Sequence, residues 1–124
     1  MRIGSDNSYL SVERVYQEGS NVFWRIEAAV AGGGWQFTAI HDHVRVDTTG
    51  DAFGRIRDFT SHRIQQFEMI LAQGVGLHAK RDLSGRVLIR YRVGQVSPCA
   101  ALEGAAVLKG ETVDAFCRQL EGLL

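Results

Sequence analysis

Cysteine is scarce in this 124-residue chain, which has two, Cys99 and Cys117. Two are too few for a disulfide scaffold, and their spacing fits no zinc ribbon. Both read as reduced thiols: Cys99 in a loop, and Cys117 on the inner stripe of a helix with no cation nearby to activate it. Proline occurs once, at Pro98, and there is no low-complexity tract and no internal repeat. No run approaches the ~20 apolar residues of a membrane span. Met1-Arg2-Ile3-Gly4-Ser5-Asp6 is not followed by the apolar stretch of a secretory leader, so a cytoplasmic protein is expected. An excess of one charge is missing too, with 14 basic and 14 acidic residues. That gives no support for a dedicated nucleic-acid or membrane binder, which normally shows a basic surplus.

What is present is a globular composition. Hydrophobic residues make up 45% and charged residues 23%, which excludes a disordered chain. The length suits a single domain, 1–124, because two would each be too small to bury a good core.

Period-two alternation dominates the chain. Leu10 and Val12 open a first strand. Val22, Trp24, Ile26, Ala28 and Val30 alternate with Arg25 and Glu27 and form a half-buried second one. Gly32-Gly33-Gly34 then turns the chain into a third, which carries Trp35, Phe37 and Ala39 and continues through Val44 and Val46. Thr48 or Thr49 suits a helix cap. Phe53, Ile56 and Phe59 share one face of a short helix over residues 51–60, with Asp51 at its positive end. Residues 61–73 fit either period, and the reading favours a strand at 66–72. The clearest hairpin turns at Asp82-Leu83-Ser84-Gly85. Its second arm faces the core with Val87, Ile89, Tyr91 and Val93. Val96-Ser97-Pro98-Cys99 reads as a loop and residues 102–108 as a last strand. Gly110-Glu111 starts a helix in which Val113, Phe116, Cys117, Leu120, Leu123 and Leu124 recur at three-four spacing. The expected fold is α+β: a mostly antiparallel sheet of about six strands, with a short middle helix and a C-terminal amphipathic helix packed on one face.

Few residues suggest chemistry. In His41-Asp42-His43, a strand points both histidines to the same side, close enough to share a metal, and points Asp42 away, so that it could join them only through a bulge. A third metal ligand would have to come from His62, His78 or a carboxylate, and none is placed by sequence. The plain reading is two half-exposed strand-end histidines with no metal. No serine lies in a nucleophile elbow. The glycine run precedes a strand rather than a helix, so it is no phosphate loop. No catalytic residue and no cofactor is expected.

Charge is uneven along the chain. Residues 61–94 hold 6 basic side chains against 2 acidic ones. Arg86, Arg90 and Arg92 fall on one face of the second hairpin arm, with His78 and Lys80 beside them. Such a face suits an acidic partner. Few aromatics interleave with the arginines, which argues against nucleic acid.

The second half carries an Asp-x-x-Gly-x-Val hairpin turn at Asp82-Leu83-Ser84-Gly85-Arg86-Val87. An alternating strand, a further strand and a helix led by Gly110-Glu111-Thr112-Val113 follow it. Together with Trp24-Arg25-Ile26-Glu27 upstream, this pattern resembles the WapI-type small bacterial immunity proteins over residues 22–124. The resemblance implies a non-catalytic protein that protects its own cell by binding a cognate toxin domain. Relatives often carry His after the turn glycine, where this chain has Arg86. Contact residues vary widely in such families, so none transfers. The residues themselves single out Arg86, Arg90 and Arg92, and the segment His41, Asp42 and His43, as partner-binding candidates. The alternative is a small-ligand-binding or structural oligomeric α+β module, and an edge strand at 10–16 or 102–108 leaves a homodimer open.

Overall fold

A computed structural model describes residues 1–47, 50–71, 74–94 and 101–124. The described residues form eight strands: β1 (Arg2–Gly4), β2 (Tyr9–Glu18), β3 (Asn21–Gly32), β4 (Trp35–Asp47), β5 (Gln66–Ile70), β6 (Gly76–Arg81), β7 (Val87–Gly94) and β8 (Ala101–Leu108). Two helices follow β4 and β8: α1 (Asp51–Thr60) and α2 (Glu111–Gly122). The strands make two four-stranded antiparallel sheets, ordered β1-β2-β3-β4 and β5-β6-β7-β8.

The α+β class is as expected, but the single sheet of about six strands is corrected to two sheets of four. β1 has only three residues, too few to show alternation. The division between the sheets is a matter of long-range pairing. α1 carries the chain away from β4, and β5 starts a new ladder rather than extending the old one. Within the ambiguous segment a strand forms over Gln66–Ile70, with Phe67 and Met69 buried and Glu68 and Ile70 facing out; Leu71 is not part of it, and the expected end at 72 lies outside the described residues. Four antiparallel strands and a helix thus occur twice in succession, an order that no repeat in the sequence announces.

Both hairpin expectations hold. β3 and β4 are joined through Gly33 and Gly34, and Gly34 takes a φ of 82° that favours glycine. In the β6–β7 turn, Asp82 Oδ1 accepts hydrogen bonds from the backbone N–H groups of Ser84 (2.9 Å) and Arg86 (3.0 Å). The N-cap of α1 is Gly50, while Thr48 and Thr49 lie outside the described residues. So does the expected loop with Cys99.

The inner faces of both sheets and both helices share one core. α1 contributes Phe53, Ile56 and Phe59, and α2 contributes Val113, Phe116 and Leu120. Each such burial is worth about 1.5–3 kcal/mol. Both helices reach both sheets, rather than lying on one face of one. Trp24 of β3 stacks on Phe53 of α1, with centroids 6.4 Å apart, and its indole N–H donates to the Leu123 carbonyl at the end of α2 (3.1 Å). From the second sheet, Phe67 meets Phe59 of α1 edge to face at 4.9 Å.

Candidate functional site

Three cross-strand rows cover the outer face of the second sheet. They read Gln66-Lys80-Leu88-Val107, Glu68-His78-Arg90-Ala105 and Ile70-Gly76-Arg92-Glu103. The core takes the odd positions of β7, so its even positions, Leu88, Arg90 and Arg92, face out. Register then brings His78 opposite Arg90 and Lys80 opposite Leu88. The grouping expected of the hairpin is therefore real for Arg90, Arg92, His78 and Lys80.

An open hollow of ≈ 570 Å³ lies over this face, lined by Glu68, Gly76, His78, Arg90, Arg92, Glu103 and neighbouring backbone. Gly76 and Ala105 contribute the smallest side chains on this face to its lining. Arg92 Nε lies 3.7 Å from a Glu103 carboxylate oxygen, and both side chains are mostly exposed. Such a pair is worth about 0–1 kcal/mol. Arg90 and Lys80 have no ion-pair partner among the described residues. Glu68 lies near another cation, since Arg55 of α1 donates to its backbone carbonyl (3.0 Å). Pairing of β5 and β8 to this hairpin places Glu68, Gly76, Glu103 and Ala105 at the site, and those pairings were not readable from sequence.

Arg86 sits differently. It precedes β7, and its Nε donates to Asp82 Oδ2 (2.9 Å) and Ser84 Oγ (3.0 Å). It belongs to the turn, apart from the hollow. The Ser84 hydroxyl, against an opposing desolvation and with help from the Arg86 side chain and both backbone N–H groups, holds the Asp82 carboxyl down at about 2.

The candidates on β4 are separated by the backbone. Trp24 pairs with Val44 and Ile26 with His41, so Asp42 and His43 together oppose Arg25. This is a β-bulge. It overturns the expectation that both histidines share a side. His41 is only 6% exposed, and its Nε2–H donates to the Gly94 carbonyl at the end of β7. His43 is exposed and packs edge-on against Tyr16 at 5.9 Å. Asp42 pairs with Arg25 at 3.3 Å. Among the described residues, no three His, Cys, Asp or Glu side chains converge as a metal site.

Cys117 is half-buried. Burial pushes its thiol up, the Arg81 guanidinium opposes that, and Asp114 and Glu121 add to the rise. A cation is therefore nearby after all, contrary to the sequence expectation, but burial prevails and the thiol stays protonated.

At the tip of the β3–β4 hairpin, Trp35 and Phe37 lie on the core side of the sheet but overhang the core. They are 52% and 53% exposed, with ring centroids 5.8 Å apart. No helix among the described residues is long and apolar enough to cross a membrane. Comparison with known protein families, curated proteins and solved structures finds no match to this chain.

Proposed function

We propose that this protein is a non-catalytic interaction protein of the immunity type, which binds and neutralises a cognate bacterial toxin domain. The observation that carries this reading is the outer face of the second sheet. It offers an open hollow with Arg90 at its lining and Lys80 at its flank, both without an ion-pair partner among the described residues. A surface of that kind suits a protein with an acidic patch. Charge complementarity would set the on-rate and the choice of partner. Covering the toxin's active site, or locking an inactive shape, then requires no chemistry from this chain. The resemblance of residues 22–124 to WapI-type immunity proteins supports the same reading.

Co-expression with the product of the gene immediately upstream tests it. The expected result is a stoichiometric complex and loss of that product's toxicity. A neighbour that is harmless alone and forms no complex overturns it. A second reading, an oligomeric α+β module, is favoured by the overhanging Trp35 and Phe37. Analytical ultracentrifugation separates the two: a tight homodimer that Trp35→Ser and Phe37→Ser abolish supports the module.

A further inference from the structure

We infer that the hollow over Gly76 and Ala105 seats a carboxylate side chain of the partner protein, held by Arg90 and completed by Arg92. This rests on the docking reading above and names the group that is docked.

Space, charge and geometry converge on it. Gly76 has no side chain and Ala105 only a methyl group, so the sheet surface sinks between the long side chains of Arg90, Arg92, His78 and Glu103. At ≈ 570 Å³ the hollow is ligand-sized. It is also open to solvent, which suits a side chain projecting from another protein surface better than an enclosed small molecule.

The lining holds two carboxylates, and neither claims Arg90. Glu103 is engaged with Arg92. Glu68 stands across the sheet, with His78 between it and Arg90. The lining's two arginines and two carboxylates balance in number, and Arg90 is the cation among them with no ion-pair partner among the described residues, so an incoming carboxylate meets it first. Arg90 and Arg92 are two residues apart on β7, so their stems rise about 6.5–7 Å apart. Both forks can converge on one carboxylate, in the charge-assisted pairing that guanidinium favours. The Arg92–Glu103 contact is long and exposed, so exchanging it for a partner's carboxylate costs little.

The test is an amide NMR titration of the whole chain with three probes. They are the peptide acetyl-Gly-Asp-Glu-Asp-Gly-amide, its Asn/Gln counterpart, and inorganic phosphate. The acidic peptide is expected to shift the amides of Gly76, His78, Arg90 and Ala105, and the neutral peptide to leave them in place. Ala105→Leu fills the hollow without changing any charge. Gly76→Val does the same where an added Cβ meets only the Met69 carbonyl, at 3.7 Å. Each is expected to weaken acidic-peptide binding about tenfold or more while the rest of the spectrum stays native, and Arg90→Gln to do likewise.

Equal response to the neutral peptide overturns the proposal. So does binding that neither filling variant weakens, or phosphate shifting the same amides at least as tightly as the peptide. If the peptide result stands but the upstream gene product is neither toxic nor bound, the immunity reading fails alone. If that product is bound and neutralised but Ala105→Leu does not weaken it, the carboxylate seat fails alone.

Discussion

Arg81 of the second sheet holds the end of α1 through a single residue, Phe59. Its Nη2 donates to the Phe59 carbonyl at 3.2 Å, and its guanidinium carbon lies 4.3 Å over the centre of the same residue's ring. The side chain is buried, at 8% exposure. A cation here also meets the negative end of the helix dipole. Arg81→Ala removes a donor from a buried carbonyl and leaves a cavity, so it is expected to lower stability by about 2–4 kcal/mol. Urea unfolding followed by circular dichroism measures this, and a loss under about 0.5 kcal/mol would contradict the role given to the contact.

Trp24 makes the matching link from the first sheet to the end of α2. It is 1% exposed, whereas Trp35 is 52% exposed. In Trp35→Phe, the remaining emission is expected to be blue-shifted and almost insensitive to acrylamide. Trp24→Phe is expected to leave a red-shifted, readily quenched indole. It should also cost about 1–3 kcal/mol, because the buried Leu123 carbonyl loses its donor. Fluorescence quenching and unfolding of the two variants measure both effects.

Two glycines of the second sheet should respond in opposite ways. A Cβ on Gly104 would lie 2.3 Å from Cζ and Oη of Tyr91, a buried side chain with little room to move. Gly104→Ala is therefore expected to cost about 1–3 kcal/mol. Gly76→Ala, whose Cβ meets only a carbonyl at 3.7 Å, should be neutral or stabilising. Melting temperatures of the two variants, side by side, provide the comparison.

The parts of this fold that sequence reveals are those set by local pattern. The alternation from Val22 to Val30, the Asp82–Gly85 turn and the three-four stripe from Val113 to Leu123 each depend on neighbours a few residues away. The features it hides depend on distant partners. Nothing near β4 or β5 says that the two are not paired. The bulge at Asp42 and His43 appears only in register with Trp24 and Ile26, and it sends His41 into the core and His43 out. Arg81 reads as one more surface cation until Phe59 is seen beneath it. The site followed the same division. Arg90 and Arg92 were legible as one face of a hairpin arm, whereas Gly76 and Ala105 acquired meaning only once β5 to β8 were aligned.

Acid should loosen the β6–β7 turn at an unusually low pH. The Asp82 carboxyl is held at about 2 by the Ser84 hydroxyl and the Arg86 contacts. Its folded value lies below its unfolded one. The stabilisation is therefore fully present above about pH 4 and is lost as pH falls toward 2. Side-chain carboxyl NMR should place the Asp82 midpoint well below the ordinary aspartate value, and Ser84→Ala should raise it. A midpoint near 3.9 would contradict the hydrogen bonding assigned to this turn.

Binding of an acidic protein partner to the outer face of the second sheet depends on Arg90 and Arg92. Titration calorimetry of the upstream gene product against the wild-type protein and the Arg90→Glu/Arg92→Glu variant tests it most directly. Like charges brought together at an interface cost several kcal/mol, so a loss of about 100-fold or more in affinity is expected. Wild-type binding should also weaken as salt rises. Equal affinity for the two proteins, with the variant folded, would contradict the assignment of this face as the binding surface.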